Sequence, residues 1–369
     1  MGGQDPALES VVISNSFWPG KRVLVTGHTG FKGGWLALWL QRLGAQVMGY
    51  SLPAPTQPSF YETARVSESV EGVIADIRDL KRLQAALADF SPEVVFHLAV
   101  QPLVRASYAE PVETYSSNVL GTVHVLEAVR RTKSVRSAVI VTTDKCYENL
   151  ELERGYREDD RLGGHDPYSN SKACAELVVD SYRRSFFGAT GTAAIASARA
   201  GNVIGGGDWA ADRLIPDLVR SAFAGKPLVL RSPKSVRPWQ HVLEPLSGYL
   251  MLAERLCDDR ARYASAWNFG PLESDARSVE DVVKLAARGW GGGLEWSVDP
   301  APQPHETKLL KLDCSKAAGT GWKPLLNAER AVEWTMEWYR AWRDKLDVKA
   351  LSLEQIERYS RLMTGGNPA

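Results

Sequence analysis

A glycine-rich turn between an apolar strand and an amphipathic helix is the feature that most limits how this chain can fold. The predicted strand Lys21–Thr26 leads directly into Gly27-x-x-Gly30-x-x-Gly33, and the predicted helix Trp35–Leu43 follows and stops at Gly44. Glycines let the backbone turn tightly here, and the N–H groups at the helix N-terminus can then hold a pyrophosphate. The sequence therefore predicts a βαβ unit that binds a dinucleotide.

Strands and helices alternate regularly over the first half of the chain. Further strands are predicted at Gln46–Tyr50, Val73–Ile77, Glu93–Ala99, Ala138–Val141 and Ala193–Ala198, with a helix at Asn118–Arg131. This alternation predicts an α/β fold, a doubly wound (Rossmann) parallel sheet with a smaller, mixed α/β C-terminal substrate domain. We expect the nucleotide-binding domain at residues 17–199, with 238–268 returning to it. The substrate domain is expected at 200–237 and 269–345, and residues 1–16 as a loose leader.

The residue that usually distinguishes NAD from NADP does not settle the choice of cofactor in this sequence. An acid is expected about 20 residues after the glycines, on the ribose hydroxyl, but Tyr50-Ser51-Leu52 stands there. We expect NAD because this region lacks an Arg for a 2′-phosphate, since Arg42 is predicted to face outward. Asp76 could meet the adenine amino group or could equally cap the next helix, a position for which Asp79 competes.

Polar side chains follow the predicted strand Ala138–Val141. They are Thr142, Thr143, Asp144 and Lys145. In open α/β sheets, ligands lie just beyond the carboxyl ends of the strands, where these side chains would emerge. A hydroxyl, an acid and an amine side by side can donate, hold or accept protons. This strand end is therefore the predicted reactive centre.

Tyr168 and Lys172 form a second candidate pair. Their four-residue spacing places the phenol and the ammonium one turn apart on one face of a helix. An ammonium beside a phenol favours phenolate, so we expect the pKa of Tyr168 to fall from its usual value of about 10. The alternative is a solvated helix start that shows this spacing by chance. The nucleotide loop upstream favours the functional interpretation.

The chain after Arg199 changes in character. A glycine-rich loop at Gly201–Trp209 precedes a predicted helix at Asp212–Ala224, and a strand at Ala261–Gly270 and a Trp-rich core helix at Ala328–Trp342 follow. Basic and aromatic residues are interleaved in the first part of this region, namely Arg213, Arg220, Arg231, Lys234, Arg237, Trp239 and His241. As a set they could hold a diphosphate and stack on a base or sugar, although each alone would be read as solvated surface.

Composition excludes several classes of function. Lys and Arg together number 44, as do Asp and Glu, so no overall field draws the chain to nucleic acid or an anionic membrane. The four Cys lack any metal-like spacing with the six His, so we expect no metal and reduced thiols in the cytoplasm. No apolar run approaches the roughly 20 residues of a membrane span, and the start lacks a signal-peptide pattern.

Taken together, Gly27-x-x-Gly30-x-x-Gly33, Tyr168-x-x-x-Lys172 and Thr143-Asp144-Lys145 make the chain resemble the extended short-chain dehydrogenase/reductase superfamily. Within it, the chain looks like the nucleotide-sugar 4,6-dehydratases, and most closely the branch acting on CDP-glucose. The resemblance to the CDP-glucose branch depends on the amino-acid sequence of four stretches, at residues 27–35, 142–147, 201–209 and 237–241. The match spans roughly residues 17 to 345.

The resemblance implies a hydro-lyase that uses NAD without net redox change. Hydride would leave C4 of the glucose while Tyr168 removes the hydroxyl proton and Thr143 bonds the C4 oxygen. Water would then leave across C5 and C6, and hydride would return to C6. We expect burial to keep Asp144 protonated as the acid for the C6 hydroxyl. Lys145, if neutral and desolvated, would be the C5 base, although it could instead only position the sugar.

The resemblance also implies binding roles. The cofactor residues would be Gly27, His28, Thr29, Gly30, Phe31, Lys32 and Gly33 at the pyrophosphate, Asp76 and Ile77 at the adenine, and Leu98, Ala99, Val100, Gln101, Asn118, Tyr168 and Lys172 near the nicotinamide. The substrate residues would be Arg105, Asn202, Arg213, Arg237 and Glu306. Relatives pair the helices that follow Asn118 and Tyr168 into a dimer interface, so a homodimer or homotetramer is expected.

Three alternatives stay open at this point. One is a nucleotide-sugar 4-epimerase, which needs Tyr168, Lys172 and NAD but no acid/base pair for elimination. Another is a 4,6-dehydratase acting on a different nucleotide hexose, because residue chemistry does not distinguish the bases. The third is a non-catalytic NAD-sensing regulator, which would have no need to keep Thr143, Tyr168 and Lys172 together.

Overall fold

Seven parallel strands form the central sheet of the computed structural model, which describes residues 13–14, 16–188, 193–292, 294–299 and 309–365. The strands are β1 (Arg22–Thr26), β2 (Gln46–Ser51), β3 (Glu71–Ile74), β4 (Val94–His97), β5 (Ser137–Val141), β6 (Ala194–Ala200) and β7 (Ala266–Phe269). Their order is β7-β6-β5-β4-β1-β2-β3, so the chain reverses direction across the sheet between β1 and β4. A ligand crevice forms at such a switch point.

Nine longer helices surround the sheet and extend beyond it. They are α1 (Phe31–Arg42), α2 (Leu80–Phe90), α3 (Gly121–Arg131), α4 (Pro167–Phe186), α5 (Leu214–Ala224), α6 (Leu243–Asp258), α7 (Val279–Trp290), α8 (Ala328–Arg343) and α9 (Val348–Met363) within the described ranges. Shorter helical turns lie at Phe60–Thr63, Val66–Glu68, Val104–Ala109, Pro111–Tyr115, Ser116–Leu120, Asp144–Cys146, Arg260–Tyr263, Glu273–Asp275 and Ser315–Ala318.

Alternating side chains divide the core into two layers, one on each face of the sheet. Val23 and Val25 of β1 face the layer that contains α1 and α6, whereas Leu24 faces the layer of α2, α3 and α4. Both faces of each central strand are therefore buried, as the apolar runs in the sequence predicted. The seven-stranded parallel sheet with helices on both faces confirms the predicted doubly wound fold.

Short strand pairs lie beyond β6, between the sheet and the later helices. Val203–Ile204 pairs with Gln240–His241, Val236–Arg237 with Arg277–Ser278, and Leu228–Leu230 with Trp296–Val298. In the part of the chain that the structure describes, no helix is long and apolar enough to cross a membrane. The predicted division into two domains stays a prediction.

Several predicted boundaries are wrong. The helix predicted from Asp212 begins at Leu214, because Asp212 itself has a left-handed backbone with φ of 61°. The strand predicted at Ala261–Gly270 is confined to β7, since Arg260–Tyr263 forms a helical turn before it. β3 lies two to three residues earlier than predicted, where its register pairs it with β2. The core helix predicted at Ala328–Trp342 is confirmed as α8.

Candidate active site

The carboxyl end of β5 carries a buried acid with one oxygen free. The Thr143 hydroxyl donates to Asp144 Oδ1 at 3.0 Å and accepts the Lys145 N–H at 3.4 Å, which opens a short helical turn. Asp144 is 1% exposed, and its Oδ2 has no hydrogen-bond donor among the described residues. A Cβ at Gly201 would lie 3.1 Å from that oxygen, a tight contact that glycine avoids. The hydrogen-bonding capacity of this oxygen is therefore unused within the described residues.

Lys145 lies beside this acid but is less enclosed than predicted. Its Nζ is 3.9 Å from Asp144 Oδ1, and 35% of its side chain is exposed. The expectation that Lys145 is desolvated is therefore wrong. The Lys145 side-chain nitrogen does lie where the sequence predicted, next to the carboxyl group at the end of β5.

Tyr168 and Lys172 approach the same strand end from α4. Asp166 caps this helix by accepting the Ser169 N–H at 2.9 Å, so the first turn of the helix carries Tyr168. Both side chains are buried, and Lys172 Nζ donates to the Val141 carbonyl at 2.9 Å. The predicted shared face of Tyr168 and Lys172 places them together at the end of β5.

Burial controls the protonation of this pair. It raises the pKa of Tyr168 to about 12, although a hydrogen bond with Thr143 and the charge of Arg213 act in the opposite direction. Burial lowers the pKa of Lys172 to about 8, against the charge of Glu176. The prediction that the pKa of Tyr168 falls is therefore wrong, because desolvation outweighs the hydrogen bond with Thr143 and the charge of Arg213.

The glycine turn is as tight as its sequence predicted. A Cβ on Gly33 would lie 2.1 Å from the Gly27 carbonyl oxygen, and one on Gly27 would lie 2.7 Å from the Ala99 nitrogen. Helix α1 then begins without a side-chain cap and without an acid in its first turn. Its N–H groups are left for an anion, so the turn fits a dinucleotide pyrophosphate.

The glycine turn and the end of β5 belong to one site. Lys32, in the first turn of α1, has its pKa lowered to about 7 by burial and by Arg213, while Asp144 acts to raise it. His28 is fully buried, with Nδ1 2.9 Å from the Ser51 hydroxyl, and it packs where Gly49 lacks a side chain. Only the backbone of His28 is therefore placed to face a pyrophosphate.

Asp76 and Asp79, just before α2, test the two interpretations of the predicted adenine site. Asp79 caps α2 by accepting the Arg82 N–H at 3.0 Å, so the alternative that Asp76 caps this helix is wrong. Hydrogen bonding by Arg78 lowers the pKa of Asp76, which keeps this partly exposed carboxylate ionised. Arg42 faces outward as predicted.

The loop after β4 is held beside α4 by one amide. Asn118 accepts the Gln101 N–H at 2.8 Å and donates to the Ser171 hydroxyl at 2.9 Å. The Leu98 and Ala99 N–H groups both donate to Thr26 at the end of β1. Residues 98–101, including Val100, thus lie between the glycine turn and the Tyr168 helix, where the nicotinamide was predicted.

The predicted substrate residues are only partly brought together. Arg213 pairs with Asp208 at 2.8 Å, and the Oδ1 of Asn202 is buried with no hydrogen-bond donor among the described residues. Arg237 is buried, whereas Arg105 is 57% exposed and pairs with Asp212 at 3.3 Å. Glu306 lies outside the described residues.

The predicted aromatic stacking surface is absent from the described residues. Trp239 is buried and donates to the Arg277 carbonyl at 3.1 Å. His241 is fully buried, with its ring 6.1 Å from Trp35 and 5.7 Å from Trp334. These two rings belong to the core and cannot stack on a base, so this part of the prediction is wrong.

A buried ion pair beneath the site was missed by the sequence analysis. Glu176 and Arg199 are 3.0 Å apart, and each side chain is 3% exposed. The available signal was spacing, because Glu176 lies four residues after Lys172 and eight after Tyr168, on the same helix face.

Known proteins are similar to this chain over most of its length. The chain is 50% identical over 358 residues to the CDP-glucose 4,6-dehydratase of Salmonella typhimurium (strain LT2), covering 96% of this chain and 100% of that one. It is 25% identical to the dTDP-glucose 4,6-dehydratase of Haemophilus influenzae, over 86% of this chain and 97% of the relative.

Solved structures share the fold. The UDP-glucose 4-epimerase of Thermus thermophilus, in complex with NAD, superposes with a TM-score of 0.75 at 25% identity, covering 86% and 99% of the two chains. The dTDP-glucose 4,6-dehydratase of Bacillus anthracis, in complex with NAD, gives a TM-score of 0.72 at 21% identity over 90% and 100%. The family model for GDP-mannose 4,6 dehydratase matches residues 24–335. Because that model covers most of the sequence and the Salmonella relative aligns over nearly all of it, the chain belongs to the GDP-mannose 4,6 dehydratase family.

Proposed function

We propose that this protein catalyses the 4,6-dehydration of CDP-glucose to CDP-4-keto-6-deoxyglucose, using NAD without net redox change. The observation that carries the proposal is the arrangement at the end of β5. A buried Asp144 with a free oxygen lies beside Thr143 and Lys145, and Tyr168 closes the same space from α4. The 50% identity to a CDP-glucose 4,6-dehydratase supports the choice of nucleotide.

The first chemical task is removal of the C4 hydroxyl proton. NAD, when bound on the glycine turn, supplies the hydride acceptor for C4 and later returns hydride to C6. Tyr168 accepts the proton, with Thr143 bonding the same C4 oxygen. Because burial raises the pKa of Tyr168 to about 12, the phenolate depends on positive charge near it, which Arg213 supplies from the protein. We assign the same role to Lys172, one helical turn after Tyr168.

The second task is elimination of water across C5 and C6. The 4-ketone acidifies the C5 proton, and Lys145 is placed to remove it. Asp144 is placed to protonate the departing C6 hydroxyl through its free Oδ2. A carboxyl group and an amine only 3.9 Å apart fit an elimination and are not needed for a simple epimerisation.

The nucleotide part is assigned to polar groups of the chain that follows β6. Asn202 offers a buried carbonyl oxygen that has no donor among the described residues, which suits a ligand N–H or hydroxyl. Arg213 and Arg237 would meet the diphosphate as guanidinium forks. Arg105 would reach the sugar only after leaving Asp212, and Glu306 is proposed on sequence grounds alone.

The first experiment is a substrate panel. The protein is incubated with CDP-, dTDP-, UDP- and GDP-glucose, and the 4-keto product is followed by its absorbance in alkali. We expect turnover with CDP-glucose first. A 4-epimer without any 4-keto sugar would instead identify an epimerase, and absence of both NAD binding and turnover would identify a non-catalytic protein.

The second experiment isolates the proposed base. Lys145→Met should keep C4 oxidation but abolish solvent-deuterium exchange at C5, because the proton acceptor is removed. Lys133→Met is the matched control, since this exposed lysine lies before the opposite end of β5. Unimpaired exchange in Lys145→Met would show that Lys145 only positions the sugar.

Assembly, compartment and domain limits complete the proposal. Large apolar side chains are exposed on α4 and the helices beside it, including Tyr108 (61%), Val112 (81%) and Leu177 (59%), which supports a homodimer or homotetramer formed through this face. The four cysteines are free thiols, which supports a cytoplasmic enzyme. We propose that residues 17–199, together with 238–268, form the NAD-binding domain. Light scattering of Leu177→Glu beside the native protein tests the interface.

A further inference from the structure

One acid on α4 lies under the reactive groups and has no part in the chemistry above. The Glu176 carboxylate accepts the Thr142 hydroxyl at 2.5 Å, the Ser197 hydroxyl at 2.6 Å and the Arg199 guanidinium at 3.0 Å. Thr142 comes directly after β5, and Ser197 and Arg199 lie on β6. The carboxylate thus joins the two strands to the catalytic helix.

The partners of Glu176 keep it ionised although it is buried. Burial would raise the pKa of Glu176, but the charge and hydrogen bond of Arg199 and the two hydroxyl bonds lower it overall. Arg199 is itself held by the Tyr147 hydroxyl at 2.7 Å and the Glu158 carbonyl at 3.0 Å. A fixed negative charge therefore lies one helical turn from Lys172.

Apart from the Val141 carbonyl, which accepts a hydrogen bond from Nζ, Lys172 has few other groups to support its charge. The groups that face it within the described residues are Glu176 on α4, Cys146 after β5, His97 on β4 and Lys32 on α1. Burial raises the pKa of the Cys146 thiol and lowers the pKa of His97 to about 3, so both are neutral near pH 7. Lys32 carries positive charge when ionised, so Glu176 is the anion of this set.

We propose that Glu176 is a positioning residue that keeps Lys172 protonated and holds Thr142 at the end of β5, and thereby sets the alkaline limit of the pH range in which Tyr168 can act as base. The inference depends on the proposed function, because it concerns the same proton transfer. It gives Glu176, four residues after Lys172, a role in the reaction although Glu176 does not contact the substrate.

The expected direction follows from the sign of the charge. The pKa of Lys172 is about 8, so the ammonium is lost as pH rises through that value. Removal of the Glu176 charge lowers this pKa further, and the alkaline limb of activity moves to lower pH. A displacement of about one pH unit means an approximately tenfold lower protonated fraction well above the new value.

The test compares variants by pH profile rather than by rate at one pH. Glu176→Gln should move the alkaline limb of kcat/KM for CDP-glucose to lower pH. It should also weaken NAD binding above about pH 7, measured by tryptophan fluorescence, because the dinucleotide is anionic and loses the Lys172 cation. Glu176→Asp keeps the charge and should restore the limb. Ser197→Ala removes one hydrogen bond but no charge and should keep the native profile.

Glu176→Gln leaves Arg199 buried without its anion, and the variant could fail to fold. Glu176→Gln/Arg199→Met removes both charges and serves as the second variant. Because Glu176 and not Arg199 acts on the pKa of Lys172, the limb should move in the same direction, but less far than in Glu176→Gln. A uniform loss of rate with an unmoved limb in a folded variant would overturn the proposal and leave Glu176 a structural residue. If the native protein makes no 4-keto sugar, the proposed function fails instead, and the NAD-binding profile still decides the role of Glu176.

Discussion

A buried glutamate between the sheet layer and the C-terminal helices gives the protein a predictable pH-dependent stability. Glu244, in the first turn of α6, is fully buried. Its Oε1 accepts the Leu325 and Leu326 N–H groups at 2.9 and 2.6 Å, and its Oε2 accepts the Tyr359 hydroxyl at 2.8 Å. This side chain therefore ties α6 to the turn before α8 and to α9.

Burial raises the pKa of Glu244 from 4.5 to about 7, although the hydrogen bonds from Tyr359, Leu326 and Leu325 act to lower it. The folded protein thus binds this proton more tightly than the unfolded chain. The resulting stabilisation is complete below pH 4.5 and is lost as pH rises to about 7. With about 1.4 kcal/mol for each factor of ten, the loss is about 3 kcal/mol.

Glu244→Gln is the decisive perturbation, because glutamine imitates the protonated side chain. It keeps an oxygen for the Leu325 and Leu326 N–H groups, and its amide can donate to the Tyr359 hydroxyl. We expect the variant to be more stable than the native protein at about pH 8, by up to about 3 kcal/mol, and similar to it at about pH 5. Urea denaturation followed by tryptophan fluorescence across this range measures the difference.

Two further variants, one at a second buried glutamate and one at an exposed glutamate, serve as comparisons. Burial also raises the pKa of Glu254 to about 7, so Glu254→Gln should remove a separate part of the same pH dependence. Glu354→Gln, at an exposed position on α9, is the control and should leave the slope unchanged. Equal slopes of unfolding free energy against pH for Glu244→Gln and the native protein would refute the reasoning.

Three other outcomes are expected. Gly33→Ala should weaken NAD binding about tenfold or more in a fluorescence titration, because its Cβ would lie 2.1 Å from the Gly27 oxygen. Asp144→Asn should still form reduced nicotinamide, seen by near-ultraviolet absorbance, but should slow dehydration by about 10²- to 10⁴-fold, and equal slowing of both steps would contradict its role as the acid. Arg42→Ala should change the free energy of unfolding by less than about 1 kcal/mol, because its ion pair with Glu357 is exposed, and a larger loss would contradict the assignment.

The order of elements was predictable because it depends on local chemistry. The glycines of the first turn, the apolar runs of the strands and the Tyr168–Lys172 spacing are each visible within a few residues, and each has its predicted place. Boundaries were less predictable because they depend on pairing between distant segments. β3 ends at Ile74 because that residue pairs with Ser51 of β2, which no local pattern around Ile74 specifies.

The aromatic residues show why site composition is harder to predict than site position. Trp239 and His241 follow a run of basic residues, and their sequence setting resembles a ligand surface. The direction of the His241 side chain is set by the short strand Gln240–His241, which pairs with Val203–Ile204. This pairing turns His241 toward Trp35 and Trp334. Because those two tryptophans come from α1 and α8, only the tertiary structure decides that the ring is buried.

The protonation of Tyr168 was mispredicted for a reason that also explains the site. Sequence spacing shows an ammonium near a phenol, but it does not show that both are desolvated. Burial raises the pKa of Tyr168 to about 12 and lowers that of Lys172 to about 8, so each charged form is unfavourable alone. Opposite charges in such a site attract more strongly than in water. We therefore expect the phenolate to depend on the positive charge of Lys172, which Glu176 helps to maintain, and on that of the nicotinamide when NAD is bound.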